Sequence, residues 1–189
     1  MSFAKKLYNS LLELKSIYSL TATAMLLAIR VVLGFFANST LAFFGNTVKI
    51  TGAFLPIAVT GKMFGPIPAA LVGALGDIIS FMLNPTGGAY FPGFTISGLL
   101  TGLIYGLAFY ENKVTITRVT IAWFVNMVLV ETFLAAYWLY FLNGATAPYT
   151  FYLSARFISV AVKCIPEILL IFVTGKIAER IGKVHKLRT

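Results

Sequence analysis

Six ionisable side chains stand inside apolar runs of this 189-residue chain: Arg30, Asp77, Glu131, Arg156, Lys163 and Glu167. A charge at mid-bilayer costs roughly 2.5–3.5 kcal/mol on insertion scales, so such groups face a protein interior and find partners. Lys163 and Glu167 are four residues apart, a spacing that predicts one salt bridge along a single helix. Arg156 lies seven residues before Lys163, on the same helical face. Arg30 and Arg156 have a different use, because a guanidinium is a planar fork suited to carboxylates and conjugated heterocycles. Asp77 and Glu131 are either structural partners of these arginines or direct ligand contacts, and spacing leaves both open. Asn126 both donates and accepts, as the edge of a heteroaromatic ring requires. Tyr137 and Trp138 close the same apolar run, where aromatic residues gather at a membrane boundary.

A second concentration of unusual residues is the stretch Asn84 to Phe94, with two prolines, three glycines and three aromatics in eleven residues. Gly and Pro set an irregular backbone there, and Tyr90, Phe91 and Phe94 offer flat faces around Pro92 and Gly93. Near a bilayer, such backbone is tolerated where it is buried in protein or lines a cavity. The stretch reads as part of a ligand site or as a tight turn with aromatics at headgroup level; composition weights the two equally. Several chemistries are excluded. The chain has no phosphate-binding Gly-x-x-x-x-Gly-Lys-Ser/Thr loop, no Gly-x-Ser-x-Gly and no His-Glu-x-x-His. Its one histidine, His185, is in the tail, which rules out histidine base chemistry in the membrane. One cysteine, Cys164, allows no internal disulfide and no metal cluster. No cofactor is implied.

The elements that must carry these residues follow from composition. The chain is 59% hydrophobic and only 11% charged, against roughly a quarter charged in soluble domains. It reads as an all-α membrane protein, a single integral membrane domain over 1–189. Apolar runs predict six transmembrane helices at about 18–37, 51–64, 67–83, 93–110, 118–142 and 152–178, after a basic interfacial helix in residues 1–16. The six enclosed charges cancel, so the net charge of +9 lies in the tails, the loops and the ends of these spans, and a nucleic-acid partner is excluded in favour of loops and anionic membrane lipid. Eleven Lys and Arg fall on the side of both termini and Lys49 alone on the other. The positive-inside rule then places both termini in the cytoplasm of a multi-pass cell-membrane protein. Span 4 carries Gly98, Gly102 and Gly106 at four-residue spacing, a groove for close helix packing. Span 1 carries a second small-residue pair, Ala24 and Ala28.

Taken together these residues resemble the substrate-binding S component of an energy-coupling factor (ECF) vitamin transporter, over nearly the whole chain. Phe-Leu-Pro-Ile at 54–57 and Pro-Thr-Gly-Gly-Ala-Tyr-Phe-Pro-Gly-Phe-Thr at 85–95 look like the folate-specific branch. The resemblance implies that Ala24 and Ala28 meet a transmembrane coupling subunit, that two ATPase subunits supply energy, and that the chain is not an enzyme. It also implies a folate or related pterin as substrate, bound on the outer side. Folate has a flat, hydrogen-bonding pterin and a tail with two carboxylates. The residue types that fit are aromatic faces (Trp138, Tyr90, Phe91, Phe94), an amide or carboxylate for the edge (Asn126, Asp77), and cations (Arg30, Arg156, Lys49). Arg30 and Trp138 are expected on the ring system, Lys49 on the tail, and the 84–94 segment as a lid. The alternatives are an S component for a different small vitamin and an intramembrane enzyme built on Asp77 and Glu131.

Overall fold

The structure is a computed structural model that describes residues 3–40, 52–83, 90–142, 144 and 148–186. Lys49 and residues 84–89, which belong to the readings above, lie outside the described residues. The described residues form helices: α1 (Phe3–Glu13), α2 (Ile17–Thr40), α3 (Phe54–Met63), α4 (Pro66–Leu83), α5 (Pro92–Phe109), α6 (Ile116–Asn126), α7 (Ala135–Leu142) and α8 (Tyr149–Lys186). A π-helical stretch, Met127–Leu134, joins α6 to α7, so the fifth predicted span is continuous but unevenly wound. Among the described residues four helical segments can cross a membrane by length and composition: Ile17–Phe35, Pro66–Leu83, Pro92–Phe109 and Ile116–Leu142. α3 is apolar but shorter.

Large apolar side chains point outward along these helices, with Met82 76% and Phe124 61% exposed. In water this surface would be an association hazard, whereas in a bilayer it is the ordinary lipid face. The interior instead uses small residues. A Cβ placed on Gly98 would meet the carbonyl of Gly73, one on Gly102 the carbonyl of Ala69, and one on Gly106 the backbone of Pro66. The glycine ridge of α5 therefore lies backbone-to-backbone on α4, as its four-residue spacing predicts. Around this contact Ile57, Val72, Tyr105, Phe109, Val119, Trp123 and Ile171 form the buried core.

A buried serine ties α1 to the bundle. Ser10 is fully buried; its Oγ donates to the Phe64 carbonyl at 3.1 Å and accepts from the Ile67 N–H at 3.0 Å. The second bond satisfies one of the orphan donors that open α4. Gly65 makes the turn possible, with φ +96° and the Ser10 hydroxyl directly over its missing side chain. Gly65→Ala is expected to destabilise the protein by about 1–3 kcal/mol through left-handed strain and displacement of Ser10. Thermal unfolding in detergent checks this, and an unchanged midpoint would refute it.

Candidate functional site

All six charges of the apolar runs come together. Arg30 from α2, Asp77 from α4, Glu131 from the π-helical stretch, and Arg156, Lys163 and Glu167 from α8 line one cavity of about 290 Å³. Phe54 and Ile57 of α3 and Phe94, Ser97, Gly98 and Thr101 of α5 supply its other walls, with Asn126 and Met127 at the junction of α6 and the π-helical stretch. Three positive and three negative groups from four parts of the chain therefore share one enclosure, where each stays partly solvated or paired instead of facing lipid.

Arg30 owes its position to a neighbour that lacks a side chain. Its guanidinium lies across Gly76, where any Cβ would collide with Nη1. Arg30 is 9% exposed, and its Nε has no hydrogen-bond partner. Asn126, 2% exposed, likewise leaves Oδ1 without a partner. A buried donor and a buried acceptor are thus unspent in residues that line the same cavity, and each such group costs about 1–3 kcal/mol if nothing meets it. Among the described residues no ion pair joins Arg30, Arg156 or Lys163 to Asp77, Glu131 or Glu167. The salt bridge expected between Lys163 and Glu167 is accordingly not formed. Glu167 instead accepts from Trp123 Nε1 at 2.8 Å, a buried bond between α8 and α6. The indole of a neighbouring helix reaches the carboxylate, and the lysine is left lining the cavity.

The aromatic residues of the 90–94 segment form the rim. Phe91 meets Trp138 edge-on with centroids 5.5 Å apart, and it also contacts Phe94 and Phe141. Gly93 is buried beneath this cluster, where a Cβ would strike Phe91 and Trp138. Of the expected aromatic contacts, Phe94 lines the cavity directly. Trp138 stands one bond back, its Nε1 donating to Ser97 Oγ at 3.1 Å. Tyr90 is linked to Asp77 through Thr95: the two hydroxyls are 2.6 Å apart, and Thr95 donates to Asp77 Oδ2 at 2.8 Å. Pro92 opens α5 and is exposed.

Ser97 and Thr101 were not anticipated. Phe94, Ser97, Gly98 and Thr101 follow three- and four-residue spacing, so two hydroxyls on one face of an apolar helix were the available signal. The π-helical stretch carries no comparable signal in the sequence. It begins directly after Asn126 and includes Met127 and Glu131, and such stretches recur at functional sites.

A larger cleft of about 680 Å³ opens at the lysine-rich end, among Asn9, Glu13, Lys62, Tyr110, Lys113 and Glu179. Two of its charged groups bond to backbone: Lys62 donates to the Asn112 carbonyl at 2.8 Å, and Glu179 accepts from the Val114 N–H at 3.1 Å. Burial, then Glu13 and Glu111, push the Tyr110 phenol up to about 12, so it stays neutral near pH 7. Among the described residues no group of three His, Cys, Asp or Glu side chains could hold a metal ion. Ala24 and Ala28 are exposed on α2 and line neither opening.

Fold and cavity define the class: a helical, membrane-type protein with a small charged chamber between its helices. Residues 18–177 match the family described as "ECF transporter, substrate-specific component". The chain belongs to that family, whose members are transport subunits and not enzymes. It is 35% identical over 140 residues to the folate transporter FolT of Clostridium novyi (strain NT), covering 74% of this chain and 80% of that one. It is 31% identical over 118 residues to the folate transporter FolT of Leuconostoc mesenteroides, covering 61% and 60%. A crystal structure of FolT bound with folic acid superposes with a TM-score of 0.74 at 28% identity, over 85% of this chain and 94% of that one.

Proposed function

We propose that this chain is the folate-binding S component of an ECF importer, a single domain over 1–189 that crosses the cell membrane six times with both termini in the cytoplasm. The six crossings are α2, α3, α4, α5, the continuous α6–α7 segment and α8. The observation that carries the ligand assignment is the pair of unspent buried groups, Arg30 Nε and Asn126 Oδ1. A pterin presents both an acceptor and amino donors on a flat edge, so it can meet both at once. The relatives named for folate support the same choice. At about 290 Å³ the cavity is near the lower end of small-molecule pockets of ~300–1,000 Å³, enough for the ring end of a folate.

In this reading Arg30, Asp77 and Asn126 hold the ring and Phe94 packs on its face. Trp138 is held by Ser97 at the rim, and Tyr90, Phe91, Pro92 and Gly93 belong to the segment that covers the opening. Arg156 and Lys49 serve the carboxylate tail. Solute is bound from outside, and Ala24 and Ala28 then meet the transmembrane coupling subunit, which two ATPases drive. No cofactor takes part. The test is titration of the purified protein with folic acid in the absence of ATP, following tryptophan emission. One equivalent of folate should quench it, with Trp138 beside the site. If no pterin binds while another vitamin does, the folate assignment fails and the family stands.

A further inference from the structure

A groove of about 580 Å³ runs between α5 and α6 at the lysine-rich end of the bundle. Its lining is sorted by polarity. Leu107 on α5 and Ile121 and Val125 on α6 form apolar walls, and Ala108 and Ala122 face into it from the two helices. Two alanines in place of larger side chains keep the channel open. Asn112 and Arg118 stand at its mouth. From Arg118 to Val125 the groove descends about 10 Å along α6, at roughly 1.5 Å per residue. That depth spans a phospholipid headgroup, its glycerol and the start of its acyl chains.

We infer that this groove holds one anionic phospholipid, with its phosphate at Arg118 and one acyl chain along Ile121 and Val125. Arg118 donates through Nη1 to the Lys113 carbonyl at 3.0 Å, which anchors the guanidinium at the mouth with donors to spare, since a guanidinium carries five N–H groups. A guanidinium so placed matches phosphate oxygens with charge-assisted bonds. Lys113 is exposed beside it and Lys6 reaches the Leu107 carbonyl at 3.4 Å, two further cations against the exposed Glu111 next to Asn112. Among the described residues no carboxylate lines the groove. Ile121 is 60% exposed on a wall that a bilayer would cover, and lipid is what surrounds it there. Basic pockets between helices on the cytoplasmic side are a general mode of recognising acidic lipid.

The test is native mass spectrometry of the full chain released from detergent, after addition of phosphatidylglycerol or phosphatidylcholine with the same acyl chains. The wild type should keep a single phosphatidylglycerol adduct in preference to phosphatidylcholine. Arg118→Gln should lower that adduct roughly fivefold, the effect of one cation near an acidic headgroup, and erase the preference. Ile121→Trp, which fills the groove and keeps the Arg118 charge, should remove adducts of both lipids. Equal adducts of the two lipids on the wild type overturn the proposal. So does an unchanged preference in Arg118→Gln, or a dimer mass lost with Ile121→Trp in place of a lipid mass. Both residues lie outside the charged cavity, so folate titration of each variant reports separately on folding.

Discussion

Arg30→Gln should weaken folate binding by roughly 100-fold or more, the loss of two charge-assisted hydrogen bonds at about 1.5–3 kcal/mol each. The reasoning rests on placement. The guanidinium is held across Gly76, nearly buried, with Nε unpartnered in a residue that lines the cavity. Glutamine keeps some polarity but is shorter and loses both the charge and the fork. Arg30→Lys should fall between the two, retaining charge without bidentate geometry. Removing the arginine also leaves the Asp77 carboxylate without its nearby cation, and an uncompensated buried charge is itself destabilising. Arg30→Gln combined with Asp77→Asn tests the charge effect, because the double variant restores electrical balance while both groups assigned to the ring are lost. Calorimetric titration with folic acid measures all four proteins. Wild-type affinity in Arg30→Gln, or full recovery in the double variant, would show that Arg30 supports the fold and not the ligand.

Replacing Ala24 and Ala28 together by tryptophan should reduce folate uptake to background in cells that carry the whole transporter. Binding to the purified variant should remain within about twofold of wild type, since Ala28 and Arg30, two apart on one helix, face different sides. Both alanines are exposed on α2, on the ridge that includes Leu20 and Val32, also exposed. Two small residues in a row of larger ones form a shallow notch, and close helix approach across membranes depends on such notches. Neither residue lines the cavity. Uptake at the wild-type rate would place the coupling surface elsewhere. Loss of binding would mean that α2 transmits strain to Arg30, further along the same helix.

The long apolar runs, the six charges they enclose and the excess of lysine and arginine at one end are properties of composition and order. They were sufficient to read a helical membrane protein. The 85–95 motif and the alanine pair were sufficient for the family. The α5 glycines were also legible, because four-residue spacing puts them on one face whatever the neighbour is. The Lys163–Glu167 expectation failed for a related reason: spacing reports which groups can meet on one helix, and Trp123 belongs to another. Ser97 and Thr101 passed unnoticed because a hydroxyl in an apolar helix usually bonds to its own backbone.

The order of residues by itself settled the solvent this chain is built for, the helices that solvent requires and the charges they must hide. Each of those is decided within a single segment, by the transfer of side chains and backbone between water and hydrocarbon. Tertiary structure alone decided that Arg30, Asp77, Glu131, Arg156, Lys163 and Glu167 face one chamber. It also decided that Gly76 makes room for the arginine, and that Arg30 Nε and Asn126 Oδ1 remain unspent. The physical reason is rotational. A helix fixes which residues share a side, but which side faces which neighbour depends on packing against the other helices, here on the backbone contact between α4 and α5.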